Sequence, residues 1–170
     1  MLVVSGCVSG PVERYVHEAT ARIPNHLWTK KQVLPEKLRP AEGEVLLVPD
    51  FATFSVSYSG QDGFLHVFTR GNRSVVIIGA DLEVSGGGVK QSVELNISTT
   101  PMQLPHDDGY WGARLRLFSD ARYGIKNVDF TKISGAENLV LTVRWRDGDR
   151  IVEQRFILRR VVKNEVAFIT

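Results

Sequence analysis

The pattern that most constrains the fold of this chain lies near its end, in residues 138–158. Leu139, Leu141, Val143 and Trp145 alternate with Val140, Thr142, Arg144 and Arg146, a period of two that is typical of a strand with one buried face. Asp147-Gly148 follows, a dipeptide that favours the tight turn of a β-hairpin. The chain then returns through a second apolar-rich run, Ile151–Leu158. The sequence therefore predicts an antiparallel hairpin.

A two-residue loop at Asp147-Gly148 would set the register of this hairpin. It places Val143 opposite Val152, a pair that suits one face of an antiparallel ladder. The same register places Leu141 opposite Gln154, which is a mismatch. We predict that Val143 is fully buried and that the hairpin is central to the stability of the protein.

Short runs with a β-pattern continue through most of the chain. The predicted strands are Val45–Val48, Thr53–Ser59, Phe64–Arg70, Ser74–Ile78, Leu82–Ser85, Val89–Ser98, Gly112–Phe118, Leu139–Arg146, Arg150–Arg159 and Val166–Ile169. Spacings of about 8–12 residues between short strands, with Gly-, Asn- and Asp-rich turns, are typical of a sandwich or a barrel. Strands and helices do not alternate, which argues against a parallel α/β sheet. We predict a mainly β fold: an antiparallel two-sheet sandwich of immunoglobulin-like or transthyretin-like architecture, with a short N-terminal helix.

Composition restricts the function without identifying it. The 170 residues are 43% hydrophobic and 24% charged, which is ordinary for a globular domain. A net charge of +2 is too balanced to indicate nucleic acid or an anionic membrane surface as the main partner. No run of apolar residues is long enough for a membrane-spanning helix. The one cysteine, Cys7, excludes an internal disulfide.

Cys7 follows the residues Val4-Ser5-Gly6. This run resembles the lipobox of bacterial lipoproteins, in which an apolar residue and two small residues precede the cysteine. The resemblance implies that a signal is cut before Cys7 and that Cys7 carries lipid. A signal peptide needs a basic segment and a longer apolar segment before its cleavage site, so we expect the true start to lie upstream of Met1. The alternative interpretation of Cys7 is an incidental thiol.

The region that follows Cys7 predicts a short helix and a linker. Apolar residues recur at helical spacing from Pro11 to Ile23, and Pro24 would end the helix. Further prolines and charged residues fill residues 25–44. The predicted organisation is a signal and anchor remnant in residues 1–10, the helix and proline-containing linker in 11–44, and the sandwich domain in 45–170. It has the order that a tether needs: an anchor, a spacer and a folded body.

The densest polar cluster is His106-Asp107-Asp108-Gly109-Tyr110-Trp111. Adjacent carboxylates beside a histidine could bind a cation or move protons. Neighbouring residues of an extended chain point in opposite directions, however, and Asp-Asp-Gly favours a turn. We therefore predict a turn without a catalytic or metal-binding role. The histidines and the single cysteine also lack the spacing of a zinc site, and no cofactor is expected.

The rings of Tyr110 and Trp111 could stack on a sugar or contact a protein. The alternative is that Trp111 begins the next strand and caps the core. The candidate ligand-binding residues are therefore His106, Asp107, Asp108, Tyr110 and Trp111.

The leading hypothesis for function is a non-catalytic, lipid-anchored module for binding or assembly, with a protein partner in the bacterial envelope. In lipoproteins a residue such as Val8 after the cysteine, in place of aspartate, implies the periplasmic face of the outer membrane. The membrane would be contacted through lipid only, and no nucleic acid is expected. Two alternatives stay open: an untethered, cytoplasmic sandwich that binds carbohydrate or a small ligand through loop aromatics, and a hydrolase that uses His106, Asp107 or Asp108.

Overall fold

In the computed structural model the described residues of the chain form one antiparallel sheet of nine strands. The structure describes residues 7–17, 33–54, 62–85, 90–99, 101–105, 107–119 and 135–168. The strands are β1 (Cys7–His17), β2 (Val45–Phe54), β3 (Asp62–Arg70), β4 (Val75–Val84), β5 (Lys90–Thr99), β6 (Met102–Gln103), β7 (Tyr110–Ser119), β8 (Asn138–Asp147) and β9 (Arg150–Phe168). Their spatial order is β5-β4-β8-β9-β1-β2-β3-β7-β6. A short 3-10 helix, Glu36–Leu38, precedes β2.

The protein is mainly β and antiparallel, as the sequence predicts, but its described strands are joined in one sheet instead of two. The long strand β9 explains the difference. Its first part, Arg150–Arg159, pairs with β8, and its second part, Leu158–Phe168, pairs with β1. The sequence predicts these parts as separate strands. In the structure they form one strand, which is hydrogen-bonded to β8 along its first part and to β1 along its second part.

The predicted N-terminal helix is wrong over residues 11–17, which belong to β1, and residues 18–23 lie outside the described part. β1 pairs with β2 on one side and β9 on the other. Val12, Tyr15 and Val16 fit a helical stripe, but β-branched and aromatic residues also favour strands. Ladders on both sides of β1 satisfy its backbone, so tertiary pairing overrides the weak helical pattern. Residues 11–17 are therefore not a spacer between Cys7 and a folded body.

The predicted hairpin is present, with its register shifted. The closing pair is Asp147 and Arg150, so the turn residues are Gly148 and Asp149. Gly148 has a positive φ of 60°, and a glycine at the first central position is typical of one of the two common hairpin turns. In this register Leu141 faces Phe156, so the predicted mismatch at Leu141 disappears. Val143 faces Gln154 and is fully buried, as predicted.

Strand β4 unites two predicted strands, Ser74–Ile78 and Leu82–Ser85. Between them Gly79 lies at a β-bulge and Ala80 is buried, so the strand continues. A bulge inserts an extra residue without ending the strand. A Cβ at position 79 would come within 2.6 Å of Nη2 of Arg144, the far end of a flexible side chain, so that side chain would have to shift to admit a larger residue.

One face of the sheet, here called the inner face, carries the main hydrophobic core. Among the residues whose side chains the structure describes, the buried ones come from seven strands and form one cluster: Tyr15, Leu47, Leu65, Val67, Val75, Ile77, Ala80, Leu82, Leu117, Leu139, Leu141, Val143, Trp145, Phe156 and Leu158. They recur at alternate positions, which is why the strand periodicity in the sequence is a good guide to the core. Among the described residues, the opposite face, here called the outer face, is covered at one end by a smaller cluster.

That smaller cluster forms where the segment before β2 and the segment before β7 lie over the outer face. Leu34 and Leu38 from the first segment and Leu104 from the second pack on Val48 and Phe68 of the sheet. All five are buried. The cluster covers the first part of β2 and the last part of β3. Asp50 of β2 and Phe64 of β3, which pair with each other, lie beyond its border on the same face.

A carboxylate lies buried beside the inner core. Glu13 Oε1 accepts hydrogen bonds from the Tyr15 hydroxyl at 2.6 Å and the Gly135 N–H at 2.9 Å. Its Oε2 lies 3.0 Å from Arg160 Nε. Burial raises the pKa of Glu13, but these three donors and the charge of Arg160 outweigh burial, so the pKa lies below the ordinary value of 4.5. Glu13 thus joins β1, β9 and the turn before β8.

We expect this carboxylate to make stability depend on acid pH. Because the pKa of Glu13 is lower in the folded than in the unfolded chain, its stabilising contribution is complete above pH 4.5 and is lost as pH falls through the folded pKa. Glu13→Gln should lower the free energy of unfolding by about 2 kcal/mol at neutral pH, and by less in acid. Denaturant unfolding from about pH 3 to about pH 7 measures this. The exposed Glu153→Gln is the control; equal pH profiles for the two variants would contradict the assignment.

Candidate functional site

The outer face of β9 is exposed although β9 lies in the interior of the sheet. The outward residues Ile151, Glu153, Arg155, Ile157 and Arg159 are all exposed. Ile151 and Ile157 expose 60% and 56% of their surface, which is high for large aliphatic side chains. Exposed apolar patches rimmed by polar residues mark interaction sites in many proteins; Ile151 and Ile157 lie six residues, about 20 Å, apart along one strand face, with charged residues between them.

A row of residues crosses the neighbouring strands on the same face, with exposed arginines at its two ends and half-buried residues between them. The backbone register aligns Arg159 of β9, Val16 of β1, Asp50 of β2, Phe64 of β3 and Arg116 of β7. Adjacent strands are about 4.8 Å apart, so the row spans about 19 Å from Arg159 to Arg116. An arginine therefore lies at each end, with an aliphatic side chain, a carboxylate and an aromatic ring between.

Two arginines of β7 lie against the ring of Phe64. The guanidinium carbon of Arg114 is 3.6 Å from the ring centroid, and that of Arg116 is 5.5 Å from it. Positive groups over an aromatic face are attracted by its quadrupole, which fixes their position. Both arginines are exposed, whereas Phe64 is half-buried. We call Arg14, Phe64, Arg114 and Arg116 the Phe64 cluster.

Asp50 lies beside the Phe64 cluster on the outer face and contacts one of its arginines, Arg14. Its carboxylate is 3.7 Å from Arg14 Nη1 and 3.9 Å from His66 Nε2. Burial raises the pKa of Asp50, but the neighbouring His66 and the charges of Arg14 and Arg114 outweigh it and lower the pKa below the ordinary value. The cluster is therefore an environment that favours a negative charge.

The structure places Asp107 and Asp108, two residues of the predicted polar cluster, in different environments. The chain turns at Asp108 and Gly109, as predicted, and Gly109 has a φ of 85°. Asp107 is buried and turns inward: its Oδ2 accepts a hydrogen bond from the Leu34 N–H at 2.7 Å. Its Oδ1 lies 3.0 Å from Arg39 Nη2. Asp107 therefore fastens the turn to the segment before β2, and Asp108 is exposed beside it.

The two candidate aromatic residues do not share one surface. Tyr110 and Trp111 are consecutive residues of β7, so they point to opposite faces of the sheet. Tyr110 packs against the outer cluster, and the Arg39 guanidinium lies 5.2 Å from its ring. β7 begins at Tyr110, and Trp111 is its second residue, so the strand starts one position before the start that the alternative interpretation gave it. His106 lies outside the described residues, so its place beside Asp107 stays a prediction.

Cys7 is the first residue of β1, and its backbone pairs with that of Phe168 near the end of β9.

Among the described residues, no group of three or more His, Cys, Asp or Glu side chains is placed to hold a metal ion. The described part of the chain also has no helix with the length and hydropathy that crossing a membrane requires. No family model, curated protein or solved structure matches the chain.

Sequence reasoning did not identify the Phe64 cluster. Its residues come from three strands, and Phe64 and Arg114 are fifty positions apart. Alternation within the strand predicts which residues share a face, but not which strands are neighbours. The one available signal was the pair of arginines at alternate positions in β7, Arg114 and Arg116, which places two positive charges on the same side of one strand.

Proposed function

We propose that this protein is a non-catalytic binding and assembly module that docks a protein partner on the outer face of β9. The single observation that carries the proposal is the exposure of Ile151 and Ile157 on an interior strand. A partner laid over this face would bury both side chains, and burial of apolar surface is the main favourable term in association. Arg155 and Arg159 stand beside them, and arginine is enriched at protein interfaces.

We expect a photo-crosslinking amino acid at position 157 to capture a discrete partner in the native cell. The matched site is Asn72, which is also exposed but lies in the turn between β3 and β4. Adducts should form from position 157 and not from position 72, and Ile151→Asp should reduce them about tenfold, since a carboxylate would have to be desolvated in the interface. The same adducts at both positions, or none at position 157, would contradict the docking surface.

We also propose that Cys7 carries lipid and holds the protein at the periplasmic face of the outer membrane. The support is the run Val4-Ser5-Gly6-Cys7. With Cys7 paired to Phe168, the lipid would lie at one end of the sheet, without the predicted spacer. Ile157 is eleven residues before Phe168 on the same strand, about 36 Å at 3.3 Å per residue. An anchor at Cys7 would therefore leave the docking surface well away from the lipid.

The lipid proposal predicts a covalent label on Cys7. The protein should be expressed in a bacterium with its natural upstream sequence and supplied with radiolabelled fatty acid. Wild type should take the label and stay with membranes in high salt, because two or more acyl chains give stable attachment. Cys7→Ser should take no label and leave an uncleaved or soluble product. Unlabelled wild type in the cytosol would show that the anchor and the envelope location are wrong.

A further inference from the structure

The outward residues in the first part of β9 form a pattern that is symmetric about Gln154. Ile151 and Ile157 lie three residues before and three residues after Gln154. Glu153 and Arg155 lie one residue before and one residue after it. All four side chains are exposed on the outer face. The apolar residues of the pattern are identical and its charges are opposite in sign, so this face is complementary to a copy of itself.

A two-fold axis that crosses β9 at Gln154 would bring each residue of this pattern opposite its complement. In two antiparallel strands that this axis places face to face, residues equally far from Gln154 on its two sides come opposite each other. Ile151 then lies opposite Ile157 of the second copy, and Glu153 opposite Arg155 of the second copy. Sheets that pack face to face are about 10 Å apart, which side chains from both faces fill together. The contact would consist of two central ion pairs with an aliphatic pair on each side.

The charges of Glu153 and Arg155 are available for such a contact. Within the described part of the chain, neither side chain takes part in an ion pair or a side-chain hydrogen bond. The neighbouring strand β8 adds no like-charge contact. The same axis places its two outward arginines opposite uncharged residues of the second copy: Arg146 opposite Val140, and Arg144 opposite Thr142. A uniformly charged partner would match one of the two charges on β9 and oppose the other.

We propose that the partner docked on the outer face of β9 is a second copy of this chain, held by the Ile151–Ile157 and Glu153–Arg155 contacts across a two-fold axis. The proposal rests on the proposed function, because it names the partner of the same face. The pattern is about 20 Å long and one strand wide, which predicts a small interface and a reversible dimer with a Kd on the order of 10–100 μM. Both copies keep the same height along the axis, so an axis along the membrane normal would let both Cys7 anchors enter one membrane.

Exchange of the two charges tests the dimer. Sedimentation equilibrium of the full chain, at concentrations below and above this Kd, should show reversible dimers of wild type. Reducing conditions exclude a disulfide between two copies of Cys7. Glu153→Arg and Arg155→Glu each place like charges opposite each other twice in the dimer, so each variant alone should associate at least about tenfold more weakly.

An equimolar mixture of these two variants should recover the dimer. The two positive charges of Glu153→Arg then lie opposite the two negative charges of Arg155→Glu, so native mass spectrometry should show heterodimers in excess over either homodimer. This recovery also requires that both variants are folded. Glu42→Arg is the control, because it makes the same charge change at an exposed residue in the turn before β2. It should change the Kd by less than about twofold.

Three results would overturn the second copy as partner: wild type that stays monomeric well above the expected Kd, a dimer that both single variants leave unchanged, or a mixture that stays monomeric. Photo-crosslinking from position 157 tests the docking function separately. Adducts with the mass of two chains would support the second copy. Adducts of another mass from a monomeric protein would leave the docking function intact and refute the second copy alone, and no adducts at all would refute both.

Discussion

Val143→Asp should lower the free energy of unfolding by several kcal/mol, enough to unfold most of the protein. Val143 is fully buried in β8, between β4 and β9, with Ala80 opposite it on one side. A carboxylate at this position would lie between Ala80 and Gln154, neither of which is charged, and must either stay ionised in a buried site or take up a proton, and both are costly. Small single domains have about 5–15 kcal/mol of stability, so a loss of this size is severe.

Ile157→Asp provides the matched control for this prediction. It makes a similar change from an aliphatic side chain to a carboxylate, in the strand that pairs with β8, but on the outer face, where Ile157 is 56% exposed. Its cost should be within about 1 kcal/mol, as for most surface substitutions. Urea denaturation of both variants measures the difference. A midpoint for Val143→Asp close to that of Ile157→Asp would show that the two faces of the sheet have been assigned wrongly.

The parts of the fold that could be predicted are those in which one local pattern is sufficient. Alternation in Leu139–Arg146 is compatible with a strand only, and Asp-Gly marks the following turn. The register of the hairpin could not be predicted, because either Asp147 or Gly148 could occupy the first turn position. The residues of β1 fit both a helical stripe and a strand, and only the ladders to β2 and β9 decide between them.

The candidate site depends on contacts that are distant in sequence, and this limits what a sequence can show about it. The turn at Asp107 could be predicted from Asp-Asp-Gly, but its hydrogen bond to Leu34 joins residues 73 positions apart. The contact of Arg114 with Phe64 likewise needs β3 and β7 to be neighbours although three strands lie between them in sequence. Local composition predicts that such residues are polar or exposed, and the topology decides which of them meet.

Asp107→Asn should destabilise the protein by about 2–4 kcal/mol, because it breaks a buried charge-assisted contact. The carboxylate accepts from the Leu34 N–H through Oδ2 and lies 3.0 Å from Arg39 Nη2 through Oδ1. An asparagine of the same shape keeps one acceptor and turns an NH₂ group toward one of these two donors. The segment before β2 would then lose its connection to the turn, and Leu34 and Leu38 would pack less firmly over Val48 and Phe68.

The neighbouring Asp108→Asn is the control for this change, since Asp108 has the same chemistry in the same turn and is exposed. Thermal and denaturant unfolding should leave Asp108→Asn within about 0.5 kcal/mol of wild type and lower the midpoint of Asp107→Asn clearly. Amide hydrogen exchange should quicken first at Leu34, where the hydrogen bond is lost, before it quickens in β8. If both variants behave like wild type, Asp107 does not hold the outer cluster. Binding that is lost in a fully stable Asp107→Asn would instead give this carboxylate the ligand-binding role that the turn geometry argues against.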